Sequence, residues 1–271
     1  EFDEGVLFYY FGNGDQLSHM TWRAMAPGHP GYRESDAPFK DVVRRAYEGF
    51  DEIVGDTVGR MAAGDMLFVM SDHGFTSWRR NFHLNTWLKE KGYLHVMGST
   101  TGGRGAEGEM PFAGVDWSRT RAYALGLNGL YINVAGRERV GTVHPTAREA
   151  LAKEIAAALL NTHDPRTGQA AVTRAWRRDE YRGRGYLDVG PDLVVGYAKG
   201  TRGANESALG RIMPEVLSDN LSSWSGDHCM DPETVPGVLF ASRKLKKPAP
   251  RLEDLASAIL AEFGVEFPAR N

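Results

Sequence analysis

The chain has 271 residues, 42% apolar and 25% charged, ordinary proportions for a globular protein with a sizeable core, as one large domain or a core with an insertion. Lys and Arg number 32 against 35 Asp and Glu, a formal charge of −3, which excludes nucleic-acid binding by bulk positive charge but not a charged pocket. The single cysteine, Cys229, excludes an internal disulfide framework and a thiolate-rich metal knuckle, and no apolar run approaches the ~20 residues that span a bilayer.

The opening Glu1-Phe2-Asp3-Glu4 is unlike a signal peptide, so the expectation is a soluble chain, with the compartment (cytoplasmic or exported) left open. Residues 5–11 (Gly-Val-Leu-Phe-Tyr-Tyr-Phe) read as a buried strand that ends at Gly12-Asn13-Gly14. From Ala37 to Ala63, apolar residues recur in steps of three and four, predicting a long amphipathic helix with Ser35 or Asp36 as cap and Pro38 in its first turn. Gly64-Asp65 stops it, and Met66–Met70 follows as a continuous apolar strand. Strand, helix and buried strand together predict a crossover unit of a parallel sheet.

Ser71-Asp72-His73-Gly74-Phe75 comes next, then a helix through Leu84, Trp87 and Leu88 to Gly92. Residues 98–114, rich in Gly, Ser and Thr, read as an exposed loop. Between about 120 and 190 the pattern changes to strands Arg121–Leu125 and Leu130–Val134, joined through Asn128-Gly129, with a helix from Pro145 to Leu160 and a strand through Ala171–Trp176. Core strands resume at Asp192–Gly196 and Gly237–Ala241, and a helix Leu252–Phe263 closes on Gly264. The fold expected is α/β: a mostly parallel sheet flanked by helices, formed by 1–97 and 190–271, with 98–189 as a small α+β insertion.

Polar residues cluster where buried strands give way to loops, the place where open α/β sheets bind ligands. Asp15 and His19 follow the first strand, Asp72 and His73 the second, and Asp227 and His228 lie in the loop Ser222-Ser223-Trp224-Ser225-Gly226-Asp227-His228. Carboxylate and neutral imidazole are the ligands that suit zinc and similar ions. The separation of four between Asp15 and His19 puts both on one face of a helical turn. Singly, each pair also fits a polar turn; their joint occurrence at strand ends favours a metal site. His29, His83, His95, His144 and His163 read as structural or solvated, and Cys229 as a buried neutral thiol. Arg177, Arg178, Arg182 and Arg184 form a basic cluster that reads as a solvated face, with an anionic substrate as the alternative.

With these residues in place, the chain resembles the alkaline phosphatase superfamily, nearest its type I phosphodiesterase/nucleotide pyrophosphatase branch. The carrying segments are Phe68–Phe75, Leu84-Asn85-Thr86-Trp87-Leu88 with Gly92-Tyr93-Leu94, Asp15–His19, and Ser225–His228 leading into Val235-Pro236-Gly237-Val238-Leu239. The resemblance implies a hydrolase of phosphate esters or nucleotides with two divalent ions, zinc first and manganese or iron as alternatives. Asp15, His19 and His228 match the ligands of one ion, and Asp72 and His73 match ligands of the second. In the family a Thr or Ser alkoxide attacks phosphorus in line, and two cations ~4 Å apart stabilise the entering and leaving oxygens.

The family's nucleophile and a further metal-binding Asp precede the Asp-x-x-x-His segment. Only 14 residues precede Asp15, without Ser or Thr, so the expectation is a C-terminal part of such an enzyme, whose N-terminal part is its partner and carries the nucleophile. The alternatives are another superfamily hydrolase (phosphomonoesterase, phosphonate hydrolase, sulfatase or phosphomutase), a metal-braced fragment without catalysis, and a mononuclear iron site of Asp15, His19 and His228.

Overall fold

A computed structural model describes residues 4–98, 110–180, 186–245 and 250–266. Arg182, Arg184 and most of the loop expected at 98–114 lie outside the described residues. The chain divides into two compact units, one of Glu1–Tyr47 with Phe75–Val235 and one of Glu48–Gly74 with Pro236–Asn271.

The larger unit begins with helix α1 (Asn13–Thr21), then a 3-10 turn, Trp22–Met25. Residues 5–11 are not the expected buried strand. Val6, Leu7, Phe8, Tyr9 and Tyr10 are each at least 60% exposed, and the run joins no ladder. An apolar run becomes a core strand only where another element offers it a face and a row of backbone partners, and none of the described residues does so here.

The long helix expected over 37–63 is two pieces, a 3-10 turn (Glu34–Phe39) and α2 (Val42–Arg60), which crosses from the larger unit into the smaller. Asp36 does not cap α2. Its Oδ2 accepts the Arg33 N–H at 2.9 Å, closing the 3-10 turn, and the carboxylate pairs with Arg23. In the smaller unit β1 (Phe68–Met70) pairs with β11 (Leu239–Ala241), Phe68 opposite Ala241. Helix α6 (Leu255–Glu262) closes on Gly264, whose φ of +68° suits a residue without a Cβ.

Three sheets build the rest of the larger unit. Strands β2 (Thr76–Ser77) and β10 (Gly226–Asp227) form an antiparallel pair. Strand β3 (Arg80–Phe82) lies between β8 (Thr201–Gly203), parallel to it, and β9 (Leu217–Asp219), antiparallel. Helix α3 (Leu84–Glu90) follows β3 directly. The four-stranded sheet has the order β4 (Ala122–Ala124), β5 (Gly129–Ile132), β7 (Leu193–Tyr197), β6 (Val172–Arg177), every pair antiparallel. Strand β7 therefore comes from outside 98–189 yet lies between β5 and β6.

Helix α4 (Arg148–Leu160) buries Leu151, Ile155 and Leu159, one face at steps of four, and these belong to one core with Leu130 and Ile132 of β5 and Leu193 and Val195 of β7. A short helix, α5 (Asn205–Ala208), follows β8. The protein is thus mixed α/β, but the expectation of a mostly parallel sheet is not met: among the described strands only β3 and β8 pair in parallel. The β4–β5 pair owes its sense to the short loop 125–128, whereas β1 with β11, β2 with β10 and β3 with β9 are antiparallel across more than a hundred intervening residues, a sense that the local strand–helix–strand pattern does not fix.

Candidate metal centre

Helix α1 carries Asp15 in its first turn, where the helix dipole favours a negative charge, and His19 in its last. One turn apart, they face each other with His19 Nε2 3.5 Å from Asp15 Oδ1. The far end of the chain completes the group: His228 Nε2 lies 3.7 Å from the same Asp15 oxygen. The donor atoms of Asp15, His19 and His228 all fall within 4.8 Å of one another. Metal–ligand bonds of about 2.0–2.1 Å in tetrahedral geometry separate donor atoms by roughly 3.3 Å, so one carboxylate and two imidazoles here fit a small divalent ion with little movement.

The surroundings fix the donors. His19 Nδ1–H donates to the Gly226 carbonyl at 2.7 Å, which leaves the Nε2 lone pair toward Asp15. The Ser225 amide donates to the His19 carbonyl at 2.8 Å, so the end of α1 is tied to the loop that leads into β10. Close approach is possible because residue 226 is glycine. A Cβ there would meet the Ser18 carbonyl oxygen at 2.6 Å and Trp22 Cβ at 2.8 Å. Aromatic rings pack around the buried His19: Trp224 is stacked on it at 4.0 Å between centroids, Phe75 meets it edge-on at 4.7 Å, and Phe75 also meets the His228 ring at 5.3 Å.

Asp227, adjacent to His228, is almost wholly buried and has other partners. Its Oδ1 accepts the backbone N–H groups of His228 and Cys229, both at 2.8 Å. Its Oδ2 lies 2.8 Å from Arg202 Nε and accepts Trp224 Nε1–H at 3.2 Å. Burial alone raises such a carboxyl's pKa, but the Arg202 charge and the two amides outweigh it and hold Asp227 below the usual carboxylate range. Next to it, burial first and the Asp227 charge second push the Cys229 thiol up to about 11, which keeps it neutral at physiological pH.

Asp72 and His73 sit in the smaller unit on the loop after β1. His73 Nε2 is 3.6 Å from Asp72 Oδ2 and Nδ1 is 3.0 Å from the Gly74 carbonyl, while the Asp72 side chain is 71% exposed. The loop is held by its neighbour strand: the Ser71 amide donates to Val238 O, and the Val238 amide to Ser71 Oγ, both at 3.0 Å.

Four of the other histidines have structural or surface positions. His29 is buried between the Trp78 carbonyl and the Gly31 amide, and His83 is buried beside Ser218 Oγ. His144 is exposed and caps the turn Pro145–Ala147, and His163 is exposed with its ring on the Asn161 carbonyl. Asn85 is fully buried and bonds the backbone of Ala124 and Ser207. Sequence reading missed Arg202, Trp78 and the role of Trp224. No local signal marked Arg202: β8 buries Thr201, Arg202 and Gly203 alike, so alternation does not single out the arginine.

No curated protein matches the chain. A family model, described as type I phosphodiesterase / nucleotide pyrophosphatase, matches residues 3–212, a span that includes Asp15, His19, Asp72 and His73 and stops before His228. With more than half of its length matched, the chain belongs to the type I phosphodiesterase/nucleotide pyrophosphatase family.

Proposed function

We propose that this protein is a metal-dependent hydrolase of phosphate esters of the phosphodiesterase/nucleotide pyrophosphatase type. Asp15, His19 and His228 hold one divalent ion, and Asp72 and His73 contribute to a second. The observation that carries the reading is the convergence of two imidazole nitrogens on one Asp15 oxygen, at 3.5 and 3.7 Å, from segments at opposite ends of the chain. Zinc is the ion this donor set suits best. Bound there, it supplies charge that neutralises phosphate oxygens and lowers the pKa of a coordinated hydroxyl or water.

The chain's own residues hold and orient. Asp15 supplies negative charge, and His19 is kept in one tautomer by the Gly226 carbonyl. Trp224 and Phe75 cover His19 and limit water access from their side. The five residues are binding groups, and the attacking hydroxyl is not among them.

The test is zinc per chain by elemental mass spectrometry, on protein purified without chelator and then exposed to zinc. About one tightly held ion per chain is expected, at Asp15, His19 and His228, with a second bound weakly at Asp72 and His73, and the tight ion is lost in His228→Ala. A chain that holds no zinc, or a His228→Ala chain that holds as much as the parent, overturns the assignment. For the substrate class, a phosphate monoester and a phosphodiester are titrated onto the zinc-loaded chain. Tighter binding of the diester is expected, and tighter binding of the monoester replaces the diesterase reading.

A further inference from the structure

Two buried charges behind the Asp15/His19/His228 group have no part in the reading above. Arg202, in β8, is buried and brings its guanidinium 4.1 Å from the centroid of the buried Trp78 ring. Its Nη1 donates to Asn205 Oδ1 at 2.7 Å and to the Gly203 carbonyl at 3.1 Å, and its Nε lies 2.8 Å from Asp227 Oδ2 as an ion pair outside hydrogen-bond alignment. Trp78 is itself fixed: its amide donates to the Ser225 carbonyl at 2.8 Å, and its own carbonyl is held by His29 and Asn220. Arg202 is thus braced on three sides and has one carboxylate to meet.

Asp227 converts that brace into the position of both imidazoles. One oxygen holds the His228 and Cys229 amides, which sets the backbone from which the His228 ring projects. The other anchors the Trp224 indole, which is stacked on His19, and lies 3.7 Å from His19 Nδ1. Asp227, His228 and Cys229 also meet the distance requirement for a metal group. The carboxylate's committed partners argue against that use: binding an ion would cost it Arg202 or the two amides.

We propose that Arg202 and Asp227 form a buried positioning pair that sets His19 and His228 for the metal, Asp227 acting behind the ligands and not as one of them. The inference rests on the zinc assignment of the preceding section. Outer partners of this kind typically change metal affinity by about 10–100-fold when removed.

The test is zinc affinity by chelator competition, read together with the melting temperature of the metal-free protein. Asp227→Asn and Arg202→Lys are the mild variants, Asp227→Ala and Arg202→Leu the severe ones. Asp192→Asn is the control, because Asp192 is equally buried and bridges Arg137 and Arg148 away from the candidate centre. Zinc affinity is expected to fall about 10–100-fold in Asp227→Ala, with Arg202→Lys recovering part of what Arg202→Leu loses. Asp192→Asn is expected to lower the melting temperature and leave zinc affinity within twofold.

Two results overturn the pair. One is zinc affinity within twofold of the parent in Asp227→Asn and Arg202→Lys. The other is a loss in Asp192→Asn as large as theirs, which reduces the pair to general stability. His228→Ala separates the two layers. If the parent binds zinc and His228→Ala does not, an unaffected Asp227 series sinks only the pair; if His228→Ala binds as the parent does, the underlying assignment falls and the pair with it.

Discussion

Two Asp–His pairs in this protein have nearly the same internal distance, 3.5 Å for Asp15 with His19 and 3.6 Å for Asp72 with His73, yet their surroundings are unlike. In the larger unit His19 is buried, its second nitrogen is engaged by a carbonyl, its ring is covered by Trp224, and a third donor arrives from residue 228. In the smaller unit Asp72 points largely into solvent, and His73 leans on the carbonyl of the next residue. Pair distance alone is therefore a poor measure of a metal site. A preorganised group needs buried partners that fix tautomer and ring plane before the ion arrives.

The sharpest way to break this comparison is to remove one imidazole from each pair. His19→Ala is expected to weaken the first zinc by at least about 100-fold, more than the loss of an outer partner. His73→Ala and Asp72→Ala are expected to leave that zinc's affinity unchanged and, for the exposed Asp72, to leave stability within about 0.5 kcal/mol. Isothermal titration with zinc on each variant, with melting curves alongside, decides it. Equal losses from both pairs would end the distinction drawn here.

A smaller effect probes why the first pair is preorganised. Gly226→Ala places a methyl against the backbone oxygen of Ser18 and the Trp22 side chain, so α1 and β10 must separate. Overpacking of this kind costs about 1–3 kcal/mol. The denaturation midpoint should fall and zinc affinity with it; an unchanged midpoint would show that the approach of α1 to β10 is slack.

The smallest expected effect concerns a histidine outside either pair. Burial holds the His83 pKa below 6.5, with Glu206 and Glu215 opposing to a lesser degree. A base with a lowered folded pKa contributes stability that is present above pH 6.5 and lost as pH falls through that value toward the folded one. The zinc-free parent should therefore lose stability between pH 8 and pH 5.5 more steeply than His83→Gln. Parallel slopes in denaturant titrations would show that His83 does not contribute to the pH dependence.

The legible part of the molecule was its local pattern. Helix α4 announced itself by Leu151, Ile155 and Leu159, and the β4–β5 hairpin by Asn128-Gly129 between two apolar runs. Asp15 and His19 could be paired from a spacing of four. What was not legible depends on distant partners. Residues 5–11 have the composition of a core strand, and composition does not reveal whether a ladder partner exists. Strand β1 read as parallel because a helix precedes it, whereas its partner β11 lies some 170 residues later and runs the other way. Arg202 was invisible because its meaning lies wholly in Asp227 and Trp78, neither near it in sequence.

The bond from His19 to Gly226 closes a loop of 207 residues. On the ribosome, at about 5–20 residues per second, α1 emerges roughly 10–40 s before the loop that anchors it. During that interval Asp15 and His19 offer an ion two donors on an isolated nine-residue helix, too short to be stable in water by itself. On the proposed assignment, metal capture would accordingly wait until residue 228 has emerged, too late to guide the early steps of folding in the way a short-range zinc clip does.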